Sequence, residues 1–219
     1  MTARPTKTPG RRRGVRSDAL VNREAILTAA AELMGRRGRN VPLAEIADAA
    51  GVGIGTVYRG YPDRTALMHA LEHRAYDLLI AALDRISESG QTGAAAVQTY
   101  LEECLSMGDQ LVLPLRGAPP LTDAAAVRAR RQINHTLERF LAEGRAAGTV
   151  RADINATDII ACGAMITQPL PAGSNWSRIA RRHIQLFVQG IQATGARRLP
   201  SPAVTRHDIE KAFAAGATD

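Results

Sequence analysis

Two groups of residues in this chain have the types and the spacing to do chemistry. The first is residues 43–62, LAEIADAAGVGIGTVYRGYP. Ala47, Gly51 and Val57 stand where a helix-turn-helix needs them: a small residue where two helices touch, a glycine at a turn of positive φ, and an apolar residue that pins the second helix to the first. A second helix held in this way projects from its support and can enter the major groove of DNA. The same triple also suits an ordinary helical hairpin, because small, glycine and apolar residues recur by chance in an alanine-rich chain. The second group is His69, Glu72 and His73. The two histidines share one helix face at a spacing that could grip a metal ion, with His183 as a distant third ligand. Their order departs from the zinc-protease arrangement, in which Glu directly follows the first His, and a solvated polar face is the plainer account of the trio. A helical metal-binding protein or enzyme built on His69 and His73 is therefore the alternative to a DNA-binding one. No cofactor fingerprint is present, so neither cofactor nor metal is expected.

Charge bears on the same choice. The formal net charge of +7 is concentrated before Ser17, where Arg4, Lys7, Arg11, Arg12, Arg13 and Arg16 occur with no acidic residue among Pro5, Pro9 and Gly10. A segment of that composition is expected to be a disordered arm, either a solubilising tail or a tether for a polyanion. No amphipathic stretch adjoins it to insert into a membrane surface, and no apolar run follows it as in a secretory signal. The longest apolar stretch, residues 159–166, is too short to span a bilayer, so a cytoplasmic location is expected. Cys104 and Cys162 lie in apolar contexts without ligand spacing and read as buried free thiols.

The elements that must position these groups are helices. Only 4% of residues are aromatic while alanine and leucine abound, a composition that suits packed helices better than sheets. The apolar period predicts a first helix from about Ser17 through Ile26, Ala30 and Met34, then a short second one with Pro42 at its first position. A brief third helix from Ile54 ends at Tyr61 and Pro62, and a long fourth, capped by Asp63, ends near Ser89. Further helices follow around Val97 to Leu105, from a Thr122 cap to Gly144 or Gly148, from an Asn155–Asp158 capping arrangement to Pro169, from a Ser174 cap through Ile191, and weakly from Thr205 to Ala215. No run argues for strand. The expected architecture is all-α: a disordered basic arm (1–16), a three-helix helix-turn-helix head (17–63), a helical ligand-binding and dimerisation body (64–195) and a C-terminal tail with a short helix (196–219).

Residues 26–67, with IL-AAAELM, AEIADAAGVGIGTVY and Y-P-D-R-T-AL, resemble the N-terminal domain of the tetracycline-repressor (TetR) family. The resemblance implies a DNA-binding transcriptional regulator, commonly a repressor released from a palindromic operator by a small molecule. It implies a recognition helix from Ile54 to about Arg59, with Gly53, Ile54, Gly55 and Thr56 facing the groove and Tyr58, Arg59 and Arg64 on phosphates. Two departures stand out: Gly53 replaces the Ser or Thr common there, and Gly60 a bulky aromatic or His. With few hydrogen bonds available to bases from Gly53, Ile54 and Gly55, shape readout and the arm, notably Arg11, Arg12 and Arg13, are expected to contribute heavily to affinity.

For the remaining half the resemblance holds only in outline. It implies a homodimer joined by two helices from each subunit, for which Ile160, Ala161, Ala164, Ile184, Phe187 and Ile191 are the expected contacts, although such helices could equally be buried within one subunit. Tyr100, Met107, Phe140, Met165 and Trp176 are the expected lining of a pocket for a largely apolar effector, with ordinary core positions as their other reading.

Overall fold

A computed structural model describes residues 11–113, 120–168, 175–193, 197–200 and 202–216, with side chains from Asp18 to Ala215. Among these residues the chain forms nine α-helices: α1 (Arg11–Arg37), α2 (Leu43–Ala49), α3 (Ile54–Gly60), α4 (Arg64–Glu88), α5 (Gly93–Met107), α6 (Ala124–Ala146), α7 (Ala156–Ile166), α8 (Trp176–Gly190) and α9 (Arg206–Gly216). The only β pairing among them is an isolated bridge between Val150 and Gln192. The chain divides into two compact units after Leu67, so the first turn of α4 belongs to the head and its remainder to the body.

In the head, Ile26, Leu27, Ala30 and Met34 of α1 are buried together with Ile46 and Ala47 of α2 and Val57 of α3. Gly38, at φ 80°, ends α1, and Gly51, at φ 66°, makes the turn between α2 and α3. Both conformations favour glycine because a side chain would crowd the following carbonyl. Pro42 is one position earlier than expected. It is the N-cap of α2 with an extended ψ of 141°, and its carbonyl accepts from Ile46 N–H. A larger correction concerns the arm: α1 begins at Arg11, so residues 11–16 are helical. Arginine is a good helix former, and an existing helix extends at little cost into such residues even where no apolar period marks them. Residues 1–10 lie outside the described residues.

In the body, α5 packs against α6, α7 and α8, and α6 and α8 each also touch α7. Ala96, Val97, Tyr100, Leu101 and Cys104 are accordingly buried along α5, and Tyr76, Leu79, Leu83 and Ile86 of α4 join the same core. Cys104 and Cys162 are both buried and free, their thiol pKa values pushed up by burial to about 12 and about 11. Where α5 and α6 meet, backbone approaches backbone. A Cβ on Gly144 would lie 2.8 Å from Gly93 Cα and 2.5 Å from Val150 Cγ2.

Helix ends follow local chemistry. Asn155 and Asp158 form the expected capping box: the Asn155 side chain accepts from Thr157 and Asp158 N–H, and Asp158 accepts from Asn155 N–H at 2.9 Å. At α6 the cap is Asp123, one residue beyond the expected Thr122. Its carboxylate accepts from both Ala125 and Ala126 N–H at 2.8 and 3.0 Å. Asn175 precedes α8 without a side-chain cap, and Ser174, the expected cap, lies outside the described residues. The tail is tied down: Leu199 N–H donates to Asp153 at 2.7 Å, Asn155 Nδ2 donates to the Val204 carbonyl at 2.9 Å, and Arg151 bonds the Arg197 carbonyl.

Candidate nucleic-acid interface and ligand cavity

Helix α3 has one face in the core and one in solvent. Val57 is fully buried, while Ile54 and Tyr58 are 41% and 52% exposed. Gly53, Gly55 and Arg59 are exposed as well, and a Cβ on Gly53, Gly55 or Gly60 would meet open space. These small residues lay the α3 backbone bare on the outward side, which lets a helix approach a groove closely. Thr56 is half-buried, and its hydroxyl accepts from Arg59 Nη2 at 3.1 Å, so it positions Arg59. Tyr61 closes α3 by donating its N–H to the Val57 carbonyl at 2.8 Å. Among the described residues its buried hydroxyl has no hydrogen-bond partner, and burial raises the phenol pKa. It therefore anchors the helix end as an apolar residue would.

Arg64, expected on a phosphate, has its guanidinium engaged within the head. Its Nη2 donates to the Val41 carbonyl at 2.6 Å and its Nη1 to the Arg39 carbonyl, so the guanidinium clamps the α1–α2 loop. Carbonyls in the loop after a helix have no intrahelical partner, and the nearest fork of donors satisfies two of them here. Arg37 and Glu45 form an ion pair that ties the end of α1 to α2. Arg11, Arg12 and Arg13 stand in the first turn of α1, where only the backbone is described.

The body holds an almost wholly apolar cavity of about 120 Å³. Leu79, Tyr100, Cys104, Ile133 and Ile160 form its walls, and Ile209 and Phe213 of α9 border it. Of the expected lining residues only Tyr100 is there. Phe140 is fully buried in the core, on the α6 stripe with Leu137 and Leu141, and Met107 and Trp176 pack half-buried against that core. Trp176 also donates its indole N–H to the Ile166 carbonyl at 2.9 Å. Met165 is 65% exposed, because α7 turns Ile159, Cys162 and Ile166 inward and leaves Met165 on the opposite side.

Of the expected dimer contacts, Ile184 and Ile191 need a similar correction. Ile184 and Ile191 are buried in the subunit's own core and Phe187 packs half-buried against it, while Ile160, Ala161 and Ala164 line the cavity. The large apolar residues exposed on α7 and α8 are Met165, Ile179 and Leu186, the last 58% exposed, and Ala161 is exposed as well. Nor do His69, Glu72 and His73 converge. Glu72 turns inward and accepts from the Tyr76 hydroxyl at 2.7 Å and Leu121 N–H at 3.2 Å, with burial raising its pKa. His69 is exposed, and His73 pairs with Asp123 at 3.2 Å. No group of three His, Cys, Asp or Glu among the described residues is placed to hold a metal ion.

At one edge of the cavity Arg130 makes a network that sequence reasoning missed. Its side chain is 11% exposed. Nε and Nη2 each donate to Glu210 at 2.7 Å, and Nη1 donates to the Leu121 carbonyl at 2.9 Å and the Tyr76 hydroxyl at 3.2 Å. The guanidinium also lies 5.2 Å from the Phe213 ring centre. A signal was available: Arg130 interrupts the inward stripe of α6 formed by Ala126, Ile133, Leu137 and Phe140. A charge at such a position needs a partner.

The description "Bacterial regulatory proteins, tetR family" matches residues 26–71, and "Transcriptional regulator SbtR-like, C-terminal domain" matches residues 94–193. The HTH-type transcriptional repressor LfrR of Mycolicibacterium smegmatis is 40% identical over 86 residues, which are 39% of this chain; the chain thus spans 45% of that relative's length. A TetR transcription regulatory protein from Mycobacterium vanbaalenii superimposes with a TM-score of 0.58 at 27% identity, over 81% of this chain and 99% of its own. The TetR regulator SCO0520 from Streptomyces coelicolor gives 0.59 at 27% identity, over 79% and 99%. Matched over its head by one regulator description and over its body by another, the chain belongs to the TetR family of bacterial transcriptional regulators.

Proposed function

We propose that the chain is a cytoplasmic, dimeric, ligand-responsive repressor that leaves a palindromic operator when a small, largely apolar effector enters its body. The observation that carries this reading is α3: anchored by buried Val57, it presents Ile54, Gly55, Tyr58 and Arg59 outward on a backbone that nothing covers among the described residues. Selection of bound fragments from genomic DNA tests it directly. Enrichment of an inverted repeat, lost when candidate effectors are added, is the expected result, and no enrichment of any sequence would sink the regulator reading. The apolar cavity supports the effector, and α4, continuous from the head into the body, supplies the route by which an effector shifts the balance between two conformations.

Two further results are expected. Replacing Arg11, Arg12 and Arg13 together by Gln should weaken binding to all DNA sequences alike. Each phosphate contact contributes about 0.9 to the slope of log affinity against log salt, so the slope should flatten by up to roughly 3 per head. A titration series across salt concentrations checks this, and an unchanged slope argues against the arm. For the dimer, the exposed apolar residues Met165, Ile179 and Leu186 are the ones to disrupt. Leu186→Glu should give a monomer at micromolar concentration by light scattering, with operator affinity reduced at least about tenfold through loss of two-headed binding. A dimer that survives this change uses another surface.

A further inference from the structure

Helix α9 brings to the cavity a chemical group that the cavity itself lacks. The two carboxylate oxygens of Glu210 sit on Nε and Nη2 of Arg130, both at 2.7 Å. This is the fork-on-fork arrangement by which an arginine binds any carboxylate. Ile209 and Phe213 flank that carboxylate and border the same apolar space. Seen from Arg130, α9 is an acid with an apolar body. Everything else that holds Arg130 belongs to α4 or the segment before α6: the Tyr76 hydroxyl, the Leu121 carbonyl, and Glu72 at 3.9 Å.

We propose that α9 is a built-in stand-in for the ligand, and that the cavity takes a small carboxylic acid with an apolar tail, whose carboxylate replaces Glu210 on Arg130 as its tail replaces Phe213. This rests on the cavity being the effector site. The class follows from what α9 leaves behind. Arg130 is fixed on α6, and withdrawal of Glu210 exposes the Nε–Nη2 edge of a nearly buried guanidinium, which is costly unless a new acceptor arrives. A neutral ligand leaves that edge unpaired, and a cationic one meets it with like charge. Glu72 does not cover it in its present position, since its Oε1 faces Nη1 rather than that edge and lies 3.9 Å away, beyond hydrogen-bond distance. Tyr100, Ile133 and Ile160 then bound the tail, and the volume of about 120 Å³, against roughly 150 Å³ for a cavity that holds benzene, enlarged only by the space that Phe213 vacates, keeps the bound acid small. Because α9 must leave first, its docking lowers the apparent affinity for the acid by the fraction of time the site is open.

Calorimetric titration of the full chain with hexanoate, octanoate and decanoate, each beside its amide and its amine, tests the proposal. At least one acid is expected to bind, its amide and amine about tenfold more weakly or not at all. Glu210→Gln, which keeps the shape of α9 but removes the competing charge, should tighten acid binding about tenfold. Arg130→Lys, which keeps the charge but not the fork, should abolish it. Equal affinity for acid and amide overturns the proposal, as does acid binding that is absent from, or no tighter in, Glu210→Gln. An acid that binds in this pattern without loosening operator DNA leaves the carboxylate site standing and removes the effector reading. Release of operator by amides or amines alone keeps the effector reading and overturns the acid.

Discussion

Gly55→Glu is expected to abolish specific operator binding while leaving the protein folded. Gly55 is exposed in the first turn of α3, and a Cβ there meets nothing within 4 Å. A glutamate near a helix start is better tolerated than glycine by a few tenths of a kcal/mol, so stability should hold or rise slightly. On DNA the same carboxylate faces the phosphates and groove edges, where like charges cost several kcal/mol, so affinity should fall at least about 100-fold. Fluorescence anisotropy with an operator duplex reads the loss, and urea unfolding reads the stability. Gly55→Ala separates bulk from charge and should retain much of the binding. If Gly55→Glu bound with wild-type affinity at the same salt, α3 would not be the reading helix.

The second large effect lies in the body. Gly144→Ala puts a methyl group 2.8 Å from Gly93 Cα, which is backbone and cannot rotate away, and 2.5 Å from Val150 Cγ2. Overpacking of this kind costs about 3 kcal/mol, against at most about 1 kcal/mol gained from helix propensity. The net loss of roughly 2 kcal/mol corresponds to a fall of roughly 4–8 °C in melting temperature, measurable by calorimetry. Gly163→Ala is the control. Its Cβ would lie 3.6 Å from Cys104 Sγ, an ordinary contact, so it should be neutral or mildly stabilising. Equal melting of the two variants would show that α5 and α6 can move apart at no cost.

What the sequence made legible is what local chemistry decides. Helix α3 runs from Ile54 to Gly60 because Gly51 makes the turn before it, Val57 anchors its middle, and Tyr61 and Pro62 stop it, all within a dozen residues. The capping box at Asn155 and Asp158 is local in the same sense. Where neighbours competed, the outcome turned on reach: Thr122 and Asp123 both suit a cap, and the carboxylate that meets two N–H groups won. The body's site is written in pairings across the chain that no periodicity announces. Arg130 and Glu210 lie 80 residues apart. On α8 the apolar pattern showed which side avoids water but not which partner covers it. The subunit's own core takes Ala180, Ile184 and Val188, and Ile179 and Leu186 are left outside. The bonds of Arg64 were not legible for a related reason, since the carbonyls of Arg39 and Val41 that hold it become neighbours only once the head has folded.

The indole of Trp176 has an optical consequence. The sequence contains a single tryptophan, and it is hydrogen-bonded to the last residue of α7 from the first residue of α8. Light emitted from this protein under indole excitation thus originates at one junction, so its colour and polarisation report on that joint alone, without any dye.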